Sequence, residues 1–323
     1  MKKNYVIATF LVLLAFFISL SVGQRLIGLA DWISIVKGTG SRSLVLTFWN
    51  FRLPRSLVGL FCGAGLALSG YLLQGVTRNE LADASFLGIN GGAGLFVMLY
   101  LGFFAQGSAF ALPVIAILGG GISAVLVYFL AQGGRGSSLS MNKLLLSGIA
   151  VNSGVSALTL LLTIKLSKES YQFVVSWLAG SIWGVTWEHA LILIIWISLL
   201  ALVGWWRQPI LRLLSLGREN ALSLGVAVSR EQTYLLGIAA MLASVSVAFA
   251  GNLAFLGLLA PHIAKGLSKK HSYTLTALCG GIIVLLADTL GRLLLANGEV
   301  PAGILIAVIG APYFLVILLR RKV

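Results

Sequence analysis

The chain has 323 residues, 59% of them hydrophobic and only 10% charged, with a mean hydropathy of +1.00. Soluble domains average roughly 45–50% apolar and 25% charged residues, so the composition excludes a water-soluble globular protein. Its net charge of +14 does not indicate nucleic acid, because the basic residues are scattered between apolar runs instead of gathering on one soluble face.

A helix needs about 20 predominantly apolar residues to cross a bilayer. The first uncharged run, 4–24, follows Met1-Lys2-Lys3 and exceeds the roughly 7–15-residue core of a secretory signal, so it is expected to be an uncleaved first span. The run 56–77 provides the second. The run 84–134 is long enough for two crossings, with a natural break at Gln106-Gly107-Ser108 and Pro113 beyond it. One span each follows from 144–164 and 189–206, and two from 232–264, which is interrupted at Gly251-Asn252 and at Pro261-His262. The runs 272–287 and 300–319 complete the set. About ten transmembrane helices are therefore expected, in an all-α polytopic domain covering 1–323 with no room for a soluble catalytic domain.

With the N-terminus in the cytoplasm, fifteen of the 23 basic residues fall on internal segments and eight on external ones. This obeys the positive-inside rule and places both termini in the cytoplasm. Five of the eight exceptions, Arg25, Lys37, Arg42, Arg52 and Arg55, cluster in the first external loop and its junction with the second helix. An isolated arginine at a helix end can snorkel to the headgroups. The pair in Phe51-Arg52-Leu53-Pro54-Arg55-Ser56, with Arg292, instead marks a candidate external basic site.

Motifs for chemistry are missing. No G-x-x-x-x-G-K-[ST] loop is present to cradle phosphates, and no H-E-x-x-H, C-x-x-C or G-x-S-x-G pattern occurs. Cys62 and Cys279 lie inside apolar runs, where a free thiol serves as a small hydrophobe. Asp288 is the one serious intramembrane acid, and it stands four residues before Arg292. On a helix the two face each other, which neutralises the acid and argues against a proton relay. Gly63 with Ala67 and Gly65 with Ser69 recur at the interval of close helix packing. The internal loop Arg207–Arg230 carries four arginines, Glu219 and a short amphipathic segment near Ala221–Gly225. It reads equally as an interfacial connector or as a docking handle.

Several long stretches resemble the permease subunits of binding-protein-dependent ABC importers, the FecCD or vitamin B12 permease family. They are RLPRSLVGLFCGAGLALSGYLLQGVTRNELAD from Arg52, LGINGGAG from Leu87, LGRENALSLGV from Leu216, GNLAFLGLLAPHIAK from Gly251, and ADTLGRLLL through EVPAGILIAVIGAPYF near the end. The resemblance implies the type II ABC importer permease fold in a bacterial cell membrane, with no cofactor bound by this chain. Its implied partners are a second permease copy or paralogue, two ATPase subunits using ATP and Mg, and an extracytoplasmic binding protein that delivers an iron-siderophore or related metal chelate. Haem and cobalamin are alternative cargoes.

Carried over by motif, the resemblance gives docking roles to Arg52, Arg55 and Arg292. It gives ATPase coupling to Arg218, Glu219, Ala221, Leu224 and Gly225, and a cytoplasmic gate to Asn79 and Leu81 with Met141 and Asn142 as a second constriction. One departure stands out. Family members typically read R-N-P-L-A-x-P-G after the second helix, whereas this chain reads Arg78-Asn79-Glu80-Leu81-Ala82-Asp83-Ala84-Ser85, with Glu80 and Ala84 at the positions of the two prolines. Loss of the prolines removes a backbone restriction and predicts a less rigid gate. The competing reading is a stand-alone ion-coupled transporter, which requires coupling-ion ligands within the spans.

Overall fold

The computed structural model describes every residue except 1, 24, 105–110, 133–140, 183, 269–271, 296–297 and 321–323. The helices in chain order are α1 (Lys2–Ser21), α2 (Leu29–Val36), α3 (Arg42–Leu46), α4 (Leu53–Thr77), α5 (Ile89–Phe103), α6 (Ala111–Ala131), α7 (Met141–Thr163), α8 (Lys168–Leu178), α9 (Trp187–Trp206) and α10 (Gln208–Ser215). They continue with α11 (Arg218–Ser223), α12 (Val228–Ala250), α13 (Leu256–Ser268), α14 (Tyr273–Leu294) and α15 (Ala302–Arg320).

Among the described residues, seven helical segments are long and apolar enough to cross a membrane, and α5 and α15 are shorter apolar helices. Together with the 13-residue α13 they supply the ten crossings. Chain direction and basic-residue placement put α2, α3 and α8 outside and α10 and α11 in the cytoplasm.

The expected break at Gly251-Asn252 is observed. Gly251, at φ +67°, ends α12, and the chain restarts as α13 after Phe255, also at positive φ. Pro261, by contrast, does not interrupt the run but lies inside α13. A proline removes one ladder bond, and the carbonyl it leaves without a helical donor, that of Gly257 four residues earlier, accepts instead from the Gln74 side chain of α4 at 3.1 Å. The expected break at Gln106-Gly107-Ser108 lies outside the described residues.

At the centre stands α4, which packs against α14, α12, α13, α9 and α1. Small residues make this possible. A Cβ added at Gly63 would sit 2.4 Å from the carbonyl oxygen of Gly280 on α14, and one at Gly70 would sit 2.0 Å from that of Gly257 on α13. Backbones approach this closely only where no side chain intervenes, and in lipid that dispersion contact drives helix association.

The segment expected as an external loop before α4 is largely helical. From Arg42 to Thr77 the chain is one long helical run, α3 and α4 being joined by a π-helical stretch, Thr47–Arg52. Pro54 sits in the first turn of α4, where its missing N–H does least harm. The wider π turn shifts the angular register of the side chains and turns Arg52 inward.

Candidate functional site

Three clusters of polar side chains interrupt the apolar bundle. The first is external. Arg55 lies against Asp288 on α14, with Nη2 2.7 Å from Oδ1 and Nε donating to the same carboxylate, and against Glu299, with Nη2 2.7 Å from Oε2. The expected Asp288–Arg292 pair also forms, at 3.2 Å, but the nearer partner of Asp288 is Arg55, 233 residues away in sequence.

Arg292 donates besides to the carbonyls of Ser19 and Val22 and to the Ser19 hydroxyl. Arg52 donates to the carbonyls of Leu20, Ser21 and Arg25. The carbonyls of Ser19, Leu20 and Ser21 belong to the last turn of α1, which leaves acceptors without helical partners and carries the negative end of the dipole, and those of Val22 and Arg25 follow it directly. Two arginines from distant helices therefore cap the first one.

This corrects the expectation of an exposed arginine surface. Arg52 and Arg292 are each only 6% exposed, and their donors are spent inside the protein, those of Arg52 on carbonyls and those of Arg292 on carbonyls, hydroxyls and Asp288. Neither snorkels. The arginine with an exchangeable partner is Arg55, because Glu299 is the more exposed of its two carboxylates, at 29% against 5% for Asp288.

The second cluster is the cytoplasmic turn after α4. Arg78 caps the helix in the left-handed conformation. The Asn79 side-chain oxygen accepts from the Leu81 N–H at 3.0 Å, and the Asn79 carbonyl from the Ala82 N–H at 3.1 Å. Leu81 reaches a small cavity beside Leu259, His262 and Tyr313 of α13 and α15. Glu80, standing where the family has proline, pairs with Lys265 of α13 at 2.6 Å.

Asp83 is buried, with Ser85 donating to its carboxylate at 3.3 Å. Burial pushes its carboxyl above the usual range, outweighing the backbone N–H groups of Ala84 and Ser85 and the Ser85 hydroxyl that favour the charged form. Side chains thus supply contacts to this turn where the family has prolines: Glu80 reaches Lys265, and Asn79 and Ser85 bond within the turn. Asn142 is exposed on the first turn of α7. The side chain of Met141, although its backbone opens α7, lies outside the described residues.

The third cluster is the cytoplasmic pair α10–α11. Arg207 joins it to the bundle through Glu231 at 3.2 Å and by stacking over Tyr234, and Tyr71 donates to Gln208 at 2.9 Å. Leu211 and Leu214 face inward. Arg218, Glu219, Leu222 and Leu224 face out, and Gly225 adopts φ +80° with open space around it. Ala221 does not join that outer face. It is fully buried and accepts from the Val226 N–H, so it anchors α11 and cannot touch a partner.

Glu299 and Lys265 carry no sequence signal, since nothing local pairs them with residues far along the chain. Glu80 did leave a signal, an acid in place of a proline. Among the described residues, no group of three or more His, Cys, Asp or Glu could hold a metal ion.

A family model described as the FecCD transport family matches residues 11–320. The chain belongs to the FecCD transport family. The iron(3+)-hydroxamate import system permease protein FhuG of Bacillus subtilis (strain 168) is 39% identical, covering 97% of this chain and 95% of that protein. The vitamin B12 import system permease protein BtuC of Salmonella paratyphi A is 36% identical, covering 96% of this chain and 93% of its own length. Among solved structures, an inward-facing conformation of a metal-chelate type ABC transporter superposes with a TM-score of 0.83 at 30% identity, covering 98% of both chains. This FecCD-family chain is accordingly a multi-pass protein of the cell membrane.

Proposed function

We propose that this chain is the membrane-spanning permease subunit of an ABC importer, and that an iron-siderophore or related metal chelate moves inward between two permease chains. The observation that carries this reading is the α10–α11 pair. Two short helices outside the bilayer, fixed to the bundle by Arg207 and Gln208 while Arg218, Glu219, Leu222 and Leu224 point away, form a rigid handle for a cytoplasmic partner. The sequence has no phosphate-cradling loop of its own, so ATP and its Mg belong to separate ATPase subunits. An ion-coupled transporter would need a free ionisable group in its spans, and Asp288 is held by two arginines.

The path between two chains is supported by α7. Only 11% of its apolar window is buried within the chain, the least of the seven long spans. Yet its open face carries Asn142, Ser153 and Ser156 at helical spacing, polar groups that lipid accommodates poorly. The turn at Asn79 and Leu81, with Met141 and Asn142, closes that path toward the cytoplasm. On the external side an acidic surface of the binding protein takes Arg55 from Glu299, while Arg52 and Arg292 hold the frame.

Proteoliposomes containing two copies of the permease with its ATPase subunits and binding protein should take up radiolabelled ferric hydroxamate only with ATP inside the vesicle-equivalent of the cytoplasm. Uptake driven by an ion gradient through the permease alone would overturn the proposal.

A further inference from the structure

Between α6 and α12, in the cytoplasmic half of the bundle, lies a cavity of about 370 Å³ open to the side and lined by Leu87, Val125, Phe129, Leu236 and Met241. Two of its walls are glycines. A Cβ added at Gly121 or at Gly237 would meet nothing within 4 Å, unlike the glycines of α4, which seat neighbouring helices. These two hold open an empty groove instead of a packed contact.

The groove spans residues 121–129 of α6 and 233–241 of α12, roughly 12 Å at 1.5 Å per residue. That is most of one leaflet of an approximately 30 Å hydrocarbon core. At its cytoplasmic mouth the apolar lining gives way to a hydrogen-bonded relay. Gln132 donates to the Tyr128 hydroxyl at 2.6 Å, that hydroxyl lies 2.7 Å from Thr233 Oγ1, and Thr233 donates to the Ser229 carbonyl.

One turn further out stands Arg230, three residues before Thr233 and seven before Gly237, hence on the same helix face. It is exposed and forms no salt bridge to Asp or Glu among the described residues.

We propose that this groove binds one phospholipid of the cytoplasmic leaflet, with an acyl chain against Gly121 and Gly237 and an anionic phosphate headgroup at Arg230 and the second amide hydrogen of Gln132, whose first is given to Tyr128. The occupant follows from the arrangement: an apolar slot of leaflet depth, opening to the bilayer, with a cation and hydrogen-bond donors only at the depth of the headgroups. A guanidinium suits a phosphate geometrically as well as electrostatically.

The test is native mass spectrometry of the assembled transporter extracted from nanodiscs of phosphatidylethanolamine and phosphatidylglycerol. The wild type should retain about one phosphatidylglycerol per permease chain through detergent exchange. Gly237→Leu and, from the facing helix, Gly121→Leu fill open space and should each cut retention several-fold. Arg230→Gln should keep a lipid but lose the preference for phosphatidylglycerol. Gly154→Leu, at an open glycine on α7, should change nothing. Failure of the wild type to retain lipid, or equal retention in both groove-filling variants, would show ordinary annular lipid only and sink the proposal. If one leucine variant does not assemble, the other decides.

Discussion

The three external arginines divide by what holds them. Arg52 and Arg292 cap carbonyls, whereas Arg55 bridges a buried carboxylate and a half-exposed one. Removing one partner of a buried pair costs about 3–5 kcal/mol when the other charge is left unpaired. Asp288→Ala leaves Arg55 with Glu299 and Arg292 with neutral acceptors, so it should lower the thermal stability of the purified complex by less than that. Glu299→Gln removes the more exposed of the two carboxylates on Arg55 and leaves Asp288 in place. It should leave stability nearly unchanged and tighten binding-protein affinity a few-fold, as measured by titration, since an internal competitor for Arg55 is gone. Weaker binding in that variant would count against exchange at Arg55.

Asp83 is a residue-scale case of a different kind. Its folded carboxyl is raised above the unfolded value, so the folded chain holds that proton more tightly. Its contribution is therefore complete below the ordinary carboxylate range and is lost as pH rises through the higher folded value. In thermal melts over a pH series, Asp83→Asn should flatten this decline. An unchanged slope would remove Asp83 as its source.

At the scale of elements, the α10–α11 pair stands or falls with its outward side chains. Gly225 has a backbone that L side chains rarely adopt, so Gly225→Trp combines strain with obstruction, and Leu224→Asp puts a charge on the outer face. Each should leave the permease folded but reduce substrate-stimulated ATP hydrolysis by tenfold or more. Normal coupling in both would dismiss the handle.

The elements were largely readable from sequence because each span must satisfy its own backbone in lipid, so run length and punctuation mark it directly. Two elements were not. The helical run through Arg42–Thr77 was hidden because Arg52, Pro54 and Arg55 look like loop residues until their charges find partners on α1 and α14. The continuity of α13 through Pro261 was hidden because packing, which no local pattern records, overrides the proline. Site residues followed the same division. Arg55 and Leu224 were visible as types in a motif, whereas the inward turn of Ala221 and the partnership of Glu80 with Lys265 depend on contacts made across the chain.

For the whole molecule, the closing of the path depends on two chains meeting. Cysteine at position 79 in both copies should crosslink across the path in one nucleotide state and not in another, when a short bifunctional reagent is followed by gel mobility. Absence of a crosslink in every state would take this turn out of the gate.

The capping of α1 also bears on how such a protein is made. The outer end of α1 is completed by Arg292, which is polymerised 270 residues after Val22. At about 5–20 residues per second, that interval is roughly 15–55 s. Throughout it the outer end of the first helix has no Arg292 donor for its carbonyls and must lean on water or headgroups. Residues of α14 thus complete what α1 began, and this seam of the bundle closes only once two segments made far apart in time have met.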